Sequence, residues 1–268
     1  MGLPDNESQR FKGLQGLFNK SGGLSYHYQA LRYKNSLWKN YNKSICGWLK
    51  EWKQGGRRLV IIGPSGGYSL NSKFLGRYER IYCVDPDPLA QKIFCRRFSN
   101  HVVSWDYQNY FLNRQGEFEI NLLNDFFNHH KDADFLFTNI LGQLALIYPR
   151  AAYIDRSRKN LSNNFKGWLI HFRNLLSAYN FASFHDLYST KYKPDRLVQE
   201  ISIGQGDLDL KTLVSSFYDS SKRQSLTFAD HHTSVLFKEF PRKIIYWKRT
   251  KKNYHFIECV KRDNWPQV

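Results

Sequence analysis

Large apolar residues recur at three- and four-residue spacing between Leu24 and Trp52, among them Leu31, Leu37, Trp38, Tyr41, Ile45, Trp48, Leu49 and Trp52. That period predicts one or two amphipathic helices, with Arg32, Lys34, Lys39, Lys43, Lys50 and Lys53 on the polar face. Ahead of them, residues 1–22 carry Gly, Asn, Ser and Lys with little periodicity and read as a mobile lead. Gly55-Gly56 ends the helical pattern, and short apolar runs take over.

The first such run, RLVIIG (Arg58 to Gly63), is continuously apolar, as a strand covered on both faces must be. A glycine-rich loop and a short helix over Leu70 to Tyr78 follow. RIYCVDPDP predicts a second strand ending at Asp85, LAQKIFCRRF a helix, His101 to Asp106 a third strand, and Ala133 to Asn139 a fourth. A helical stretch ending in FKGWLIHFRNLLSAY precedes a fifth strand, Phe181 to Ser189. Residues 190–240 are mixed and polar, with one helix around Leu208 to Tyr218. The closing RKIIYWKRTKKNYHFIECVKR is two β-rich runs about the turn-like TKKN, hence an antiparallel hairpin. Strands alternating with helices predict an α/β fold, a parallel sheet with helices on its faces.

Composition narrows the class. With 268 residues, 41% hydrophobic and 16% aromatic, the chain is globular and suits one large domain, or one domain with an extension. Cys46, Cys83, Cys95 and Cys259 show no C-x-x-C spacing and read as packed, reduced thiols. With no apolar signal core and no transmembrane segment evident, a soluble cytoplasmic protein is expected. The formal charge of +17 favours a polyanionic partner, RNA first, although the basic residues are spread along the chain and mark no site. His129-His130 and His231-His232 are adjacent pairs without further ligands at zinc-like spacing, so no metal is expected.

The loop after the first strand, GPSGGYS, carries the chemistry. A triphosphate loop would need Gly-Lys where Tyr68 and Ser69 stand, and a dinucleotide loop would need glycine at Ser65 and Tyr68. Asp85 lies 22 residues beyond Gly63, close to the ~20-residue offset at which an acid meets ribose hydroxyls in nucleotide-binding α/β folds. With the strand-end acid and the closing hairpin, the stretch from Arg57 to Arg262 resembles a class I S-adenosylmethionine-dependent methyltransferase.

The resemblance implies a Rossmann-like, seven-stranded, mostly parallel sheet with a C-terminal antiparallel hairpin. Residues 1–56 would be an N-terminal helical extension, 57–268 the methyltransferase-like domain, and 190–240 a substrate-shaping insertion. It implies S-adenosylmethionine as cofactor, with Gly63, Ser65, Gly66 and Gly67 letting backbone approach it and the next helix start offering amides to its carboxylate. Asp85 would hold the ribose, and Asp106, with Trp105 beside it, the adenine. Asn139, in Asn139-Ile140-Leu141-Gly142-Gln143, would face both cofactor and methyl acceptor; the segment resembles the Asn-Ile-Leu of ribosomal-protein methyltransferases and lacks the Asn/Asp-Pro-Pro-aromatic signature of base-amino methylation. The fifth strand delivers His185 as proton acceptor and Asp186 as its tuning carboxylate. Ile61 stands where the family usually has an acid. RNA is the acceptor to test first, with protein lysine or glutamine, or a small molecule, as alternatives. An inactive nucleic-acid-binding module is the reading from another class.

Overall fold

The structure is a computed structural model that describes residues 23–112, 118–144, 154–155, 160–161, 163–196, 198–219, 221 and 226–263. The lead expected over residues 1–22 lies outside them. The N-terminal periodicity resolves into two helices, α1 (Gly23–Tyr33) and α2 (Lys39–Glu51). Then come β1 (Arg58–Ile62), α3 (Ser72–Leu75), β2 (Arg80–Val84), α4 (Pro88–Arg97), β3 (Val103–Asp106), α5 (Ile120–His129) and β4 (Ala133–Thr138). A two-residue pair, β5 (Ile154–Asp155) and β6 (Asn160–Leu161), stands apart from the main sheet. The chain continues through α6 (Asn163–Leu176), β7 (Phe181–Thr190), β8 (Glu200–Ile203), α7 (Leu210–Phe217) and β9 (Ala229–Asp230) to the hairpin β10 (Arg242–Lys248) and β11 (Tyr254–Arg262).

The main sheet has the order β3-β2-β1-β4-β7-β11-β10-β8. β1 pairs in parallel with β2 and β4, β2 with β3, and β4 with β7, whereas β11 runs antiparallel to both β7 and β10. The seven expected strands are therefore present, with β11 inserted between β7 and β10. Two more extend the prediction: β8 pairs with the outer edge of β10, and β9 adds a short antiparallel rung to β7. Chain order reverses between β1 and β4, which makes the carboxyl ends of those strands the crevice where ligands bind in open α/β sheets.

Alternation along β1 divides the core. Leu59 and Ile61 face the layer containing α2 to α4, with Ile45, Trp48 and Leu49 of α2, while Val60 and Ile62 face Phe127 of α5 and Phe172 of α6. Helix α2 is thus a structural layer of the domain. The joint between it and β1 is tied down by buried Asp134, which accepts hydrogen bonds from the amides of Gly55 and Gly56, Tyr78 Oη and Asn180 Nδ2. Residues 190–240 build a third cluster at the far side of the sheet, around Leu213, Phe217, Tyr218 and Phe256. All four cysteines are free. Among the described residues, no helix is long and apolar enough to cross a membrane.

Candidate functional site

A cavity of about 330 Å3 opens at the β1/β4 switch point. One end is lined by Val84, Asp85, Gln108, Tyr110, Phe111 and Phe126, and the other by Tyr26, Tyr41, Asn139, Gln143, Phe184 and Trp247. The loop Gly63 to Leu70 borders the space between.

The loop's glycines serve the chain itself. Gly63 has φ +74°, and an added Cβ would lie 3.0 Å from Cβ of Ile140. A Cβ on Gly67, with φ +64°, would lie 2.6 Å from the Phe98 ring, and one on Gly66 2.7 Å from the Tyr68 ring. Close packing at all three, with positive φ at Gly63 and Gly67, is by itself enough to require glycine. Gly63, Ser65 and Gly67 line the cavity, whereas Gly66 does not; its carbonyl accepts from Arg97 Nη1 at 2.5 Å. At the helix start beyond the loop, Asn71 Oδ1 caps α3 by accepting from the Phe74 amide at 2.8 Å.

Asp85 stands where the sequence places it. Its Oδ2 accepts from the Ser65 amide at 2.8 Å and its Oδ1 from the Asp87 amide at 3.0 Å, which ties the end of β2 to the glycine-rich loop. A carboxylate has about four lone-pair positions, so each oxygen keeps one for a ligand. Burial pushes its pKa up to about 6, against the lowering effect of the two amide hydrogen bonds.

Asp106 and Trp105 do not take the expected places at the cavity. Asp106 Oδ2 accepts from Tyr82 Oη at 2.8 Å and Tyr110 Oη at 2.6 Å, while Oδ1 accepts from the Gln108 amide at 2.8 Å. The carboxylate thereby fixes the turn that presents Gln108 to Phe111. Trp105 donates from Nε1 to the Asp85 carbonyl at 2.9 Å and packs edge-on against Phe94. Neither residue is among those that line the cavity.

The opposite end is organised around Asp186, which is fully buried. Asn139, at φ +60°, accepts from the Asp186 amide at 2.8 Å and donates from Nδ2 to Asp186 Oδ2 at 3.1 Å. Gln143 Nε2 donates to the same oxygen at 3.3 Å, and His255 Nδ1 is 2.7 Å from Oδ1. Burial works to raise the Asp186 pKa, but His255, His231 and Arg249 hold it below the ordinary carboxylate range. Asn139 and Gln143 line the cavity; Asp186 sits behind them and positions both.

His185 is the clearest correction. Successive strand residues face opposite sides of a sheet, so His185 points away from Asp186 into the second core layer beside Phe237. It is fully buried, 3.0 Å from Glu258 through Nε2 and 2.9 Å from Ser183 Oγ through Nδ1, and Arg242 completes the network on Glu258 at 3.3 Å. It does not line the cavity and, fully buried on the other face of the sheet, does not serve there as proton acceptor.

Sequence spacing also misses what folding assembles. Asp186, His231 and His255 are all buried, and their donor atoms lie within 4.8 Å of one another. His231 is held at 2.9 Å from the Gly142 carbonyl through Nδ1 and 3.1 Å from Ser189 Oγ through Nε2. Helix α1 contributes as well. His27 lies 2.7 Å from Tyr68 Oη and 2.9 Å from Asp87 Oδ2, which latches Gly23 and Tyr26 over the cavity.

No protein-family model matches this sequence, and no curated protein matches it. Among solved structures, the N-methyltransferase NodS from Bradyrhizobium japonicum, in complex with S-adenosyl-L-homocysteine, is 9% identical over 84% of this chain and 87% of its own, with a TM-score of 0.40. Magnesium protoporphyrin IX methyltransferase from Synechocystis, with bound S-adenosylhomocysteine, is 13% identical over 95% of both chains at a TM-score of 0.40. A SAM-dependent methyltransferase from Aquifex aeolicus is 11% identical over 80% of this chain and 88% of its own, at 0.35. The chain itself shows a parallel core with an antiparallel C-terminal pair.

Proposed function

We propose that the protein binds S-adenosylmethionine in this cavity and transfers its methyl group to a small molecule. The observation that carries the reading is a continuous cavity at the switch point, bordered by the Asp85 carboxylate and by the Asn139–Gln143 pair. Asp85, through its two remaining lone pairs, would hold the ribose hydroxyls. Tyr110, Phe111, Leu123 and Phe126 offer an apolar slot for adenine, and the loop Gly63 to Leu70 borders the methionyl part. Tyr26, Tyr41 and Trp247 bring aromatic rings to the cavity's other end, where a sulfonium cation would be favoured.

A small acceptor is preferred to RNA for a physical reason. Helix α1 borders the cavity, and among the described residues that line it there is no lysine or arginine, so the +17 charge is not gathered on those residues. Methyl transfer from a sulfonium needs chiefly in-line positioning and exclusion of water, to which helix α1, bordering the cavity with Gly23 and Tyr26, would contribute.

Titration calorimetry with S-adenosylhomocysteine tests the reading. Micromolar binding is expected, and Asp85→Ala weakens it about 100-fold, the loss of hydrogen bonds to a buried charge. No binding at millimolar ligand leaves only a methyltransferase-like fold.

A further inference from the structure

Helix α1 shows solvent an apolar face. Leu24, Tyr28 and Leu31 are 49%, 62% and 62% exposed, while Gly23, His27 and Ala30 of the same helix are buried. At ~100° per residue, the three exposed side chains fall within an arc of about 60° and form one stripe along the helix. None of the three lines the cavity, which Gly23 and Tyr26 border. A lone exposed apolar side chain is ordinary, whereas large ones grouped together mark a contact surface.

Folding sets this stripe beside a basic segment from the other end of the chain. Trp38 Nε1 donates to the Arg249 carbonyl at 2.8 Å, and the Arg249 guanidinium lies 5.8 Å from the centre of the Tyr26 ring, so the β10–β11 turn packs against the α1 region. The first segment brings Arg32, Lys34 and Lys39, and the turn brings Lys248, Arg249, Lys251 and Lys252, all of them at least partly exposed. No aspartate or glutamate occurs in residues 24–39 or 248–253. Among the described residues, none of these cations forms an ion pair. Part of the charge that reads as dispersed along the sequence is thus gathered by the fold.

The two halves of this surface select its partner. A second copy of the chain is disfavoured, because a symmetric contact sets the cations of one face against those of the other. A nucleic acid would satisfy the cations, but bases stack on aromatic rings, and two of the three side chains in the stripe are leucines. An anionic lipid surface uses both halves: aliphatic groups enter the boundary between headgroups and acyl chains, while lysine and arginine meet the acidic headgroups.

We propose that α1 and the β10–β11 turn dock the protein on an anionic lipid bilayer, with Leu24, Tyr28 and Leu31 at the acyl boundary. The contact is peripheral, since α1 has 11 residues and a span needs ~20. The proposal stands on surface residues and does not depend on the methyltransferase reading.

The test is flotation of the full chain with vesicles of phosphatidylcholine and phosphatidylserine. Binding is expected, absent with phosphatidylcholine alone and weakening as salt is raised. The Lys251→Gln, Lys252→Gln double variant should bind about 20-fold more weakly, at ~5-fold per cation. The Leu24→Ser, Leu31→Ser double variant keeps every charge and should bind about 10-fold more weakly, with thermal unfolding unchanged because both positions are exposed. Failure to float with the anionic vesicles overturns the proposal, as does undiminished flotation of the leucine variant. Single-stranded RNA bound more tightly than the vesicles, with no loss in the leucine variant, overturns it in favour of a nucleic-acid face. A dimer in vesicle-free solution that the leucine variant dissociates gives the stripe to a second copy, and flotation only after removal of residues 1–22 gives it to that segment; either result overturns the proposal. Binding of S-adenosylhomocysteine, measured separately, bears on the methyltransferase reading alone.

Discussion

Two segments lie outside the alternating strand–helix pattern, the helices at 23–51 and the stretch from 190 to 240, and they have opposite relations to the cavity. Gly23, Tyr26 and Tyr41 of the first line it, whereas no described residue of the second does. Geometry explains the contrast. The outer segment leaves β7 and builds β8 on the far edge of β10, three strand spacings away, or about 14 Å at ~4.8 Å per spacing. The N-terminal helices instead cover the sheet beside the switch point, and the His27 latch to Tyr68 and Asp87 draws α1 over it. Irregular sequence is thus a poor guide to site-building; distance from the point where strand order reverses decides it. From the outer segment, His231 and Thr233 come nearest, bracing Gly142 and the Asp186 carbonyl from behind.

This contrast can be broken by mutation. The largest effect is expected in the outer segment, on stability. Leu213→Ala, at a fully buried position, should cost about 3 kcal/mol in denaturant unfolding while S-adenosylhomocysteine affinity stays within about twofold. A comparable loss of affinity would join the two segments energetically. His27→Ala should act the other way, weakening that affinity about 10-fold for the lost latch; unchanged binding would mean that α1 merely rests on the cavity.

The smallest effects separate two carboxylates by pH. Asp85, beneath the roof, has a pKa raised to about 6 by burial. Its native form holds the proton more tightly than the unfolded chain does, so stability without ligand should fall as pH rises from about 4 to about 6. Asp209, the exposed cap of α7, has its pKa lowered by hydrogen bonds from Thr212. Its contribution is present above about pH 4 and lost as pH falls further. Urea unfolding of Asp85→Asn and Asp209→Asn across that range should remove opposite slopes.

The central strands were legible because strands buried on both faces read as unbroken apolar runs, and the closing hairpin because of its turn. Asp85 was legible too, being fixed by its offset from the glycine-rich loop. Other residues were ambiguous for identifiable reasons. On β7 both faces are buried, so alternation separates His185 from Asp186 without saying which one meets the site. Asp106 has the same strand-end position as Asp85, but Tyr82 and Tyr110 engage it, a meeting that only the fold creates. Tyr26, Tyr41 and Trp247 read as core aromatics and do pack as such, with Tyr41 stacked on Trp247 at 4.7 Å; that they also wall a cavity has no one-dimensional signature. Helix α5 carried a usable signal in the spacing of Ile120, Leu123 and Phe127, which the strand–helix reading passed over. The edge strand β8, only four residues long and alternating in exposure, carried little.

The latch at His27 has a kinetic corollary. A wall held by one side-chain latch can work as a hatch, and a bulky occupant using that side would wait for the hatch to swing. Exchange of spent for fresh donor would then set the ceiling on turnover, and loosening the hinge would trade tightness of hold for speed of release.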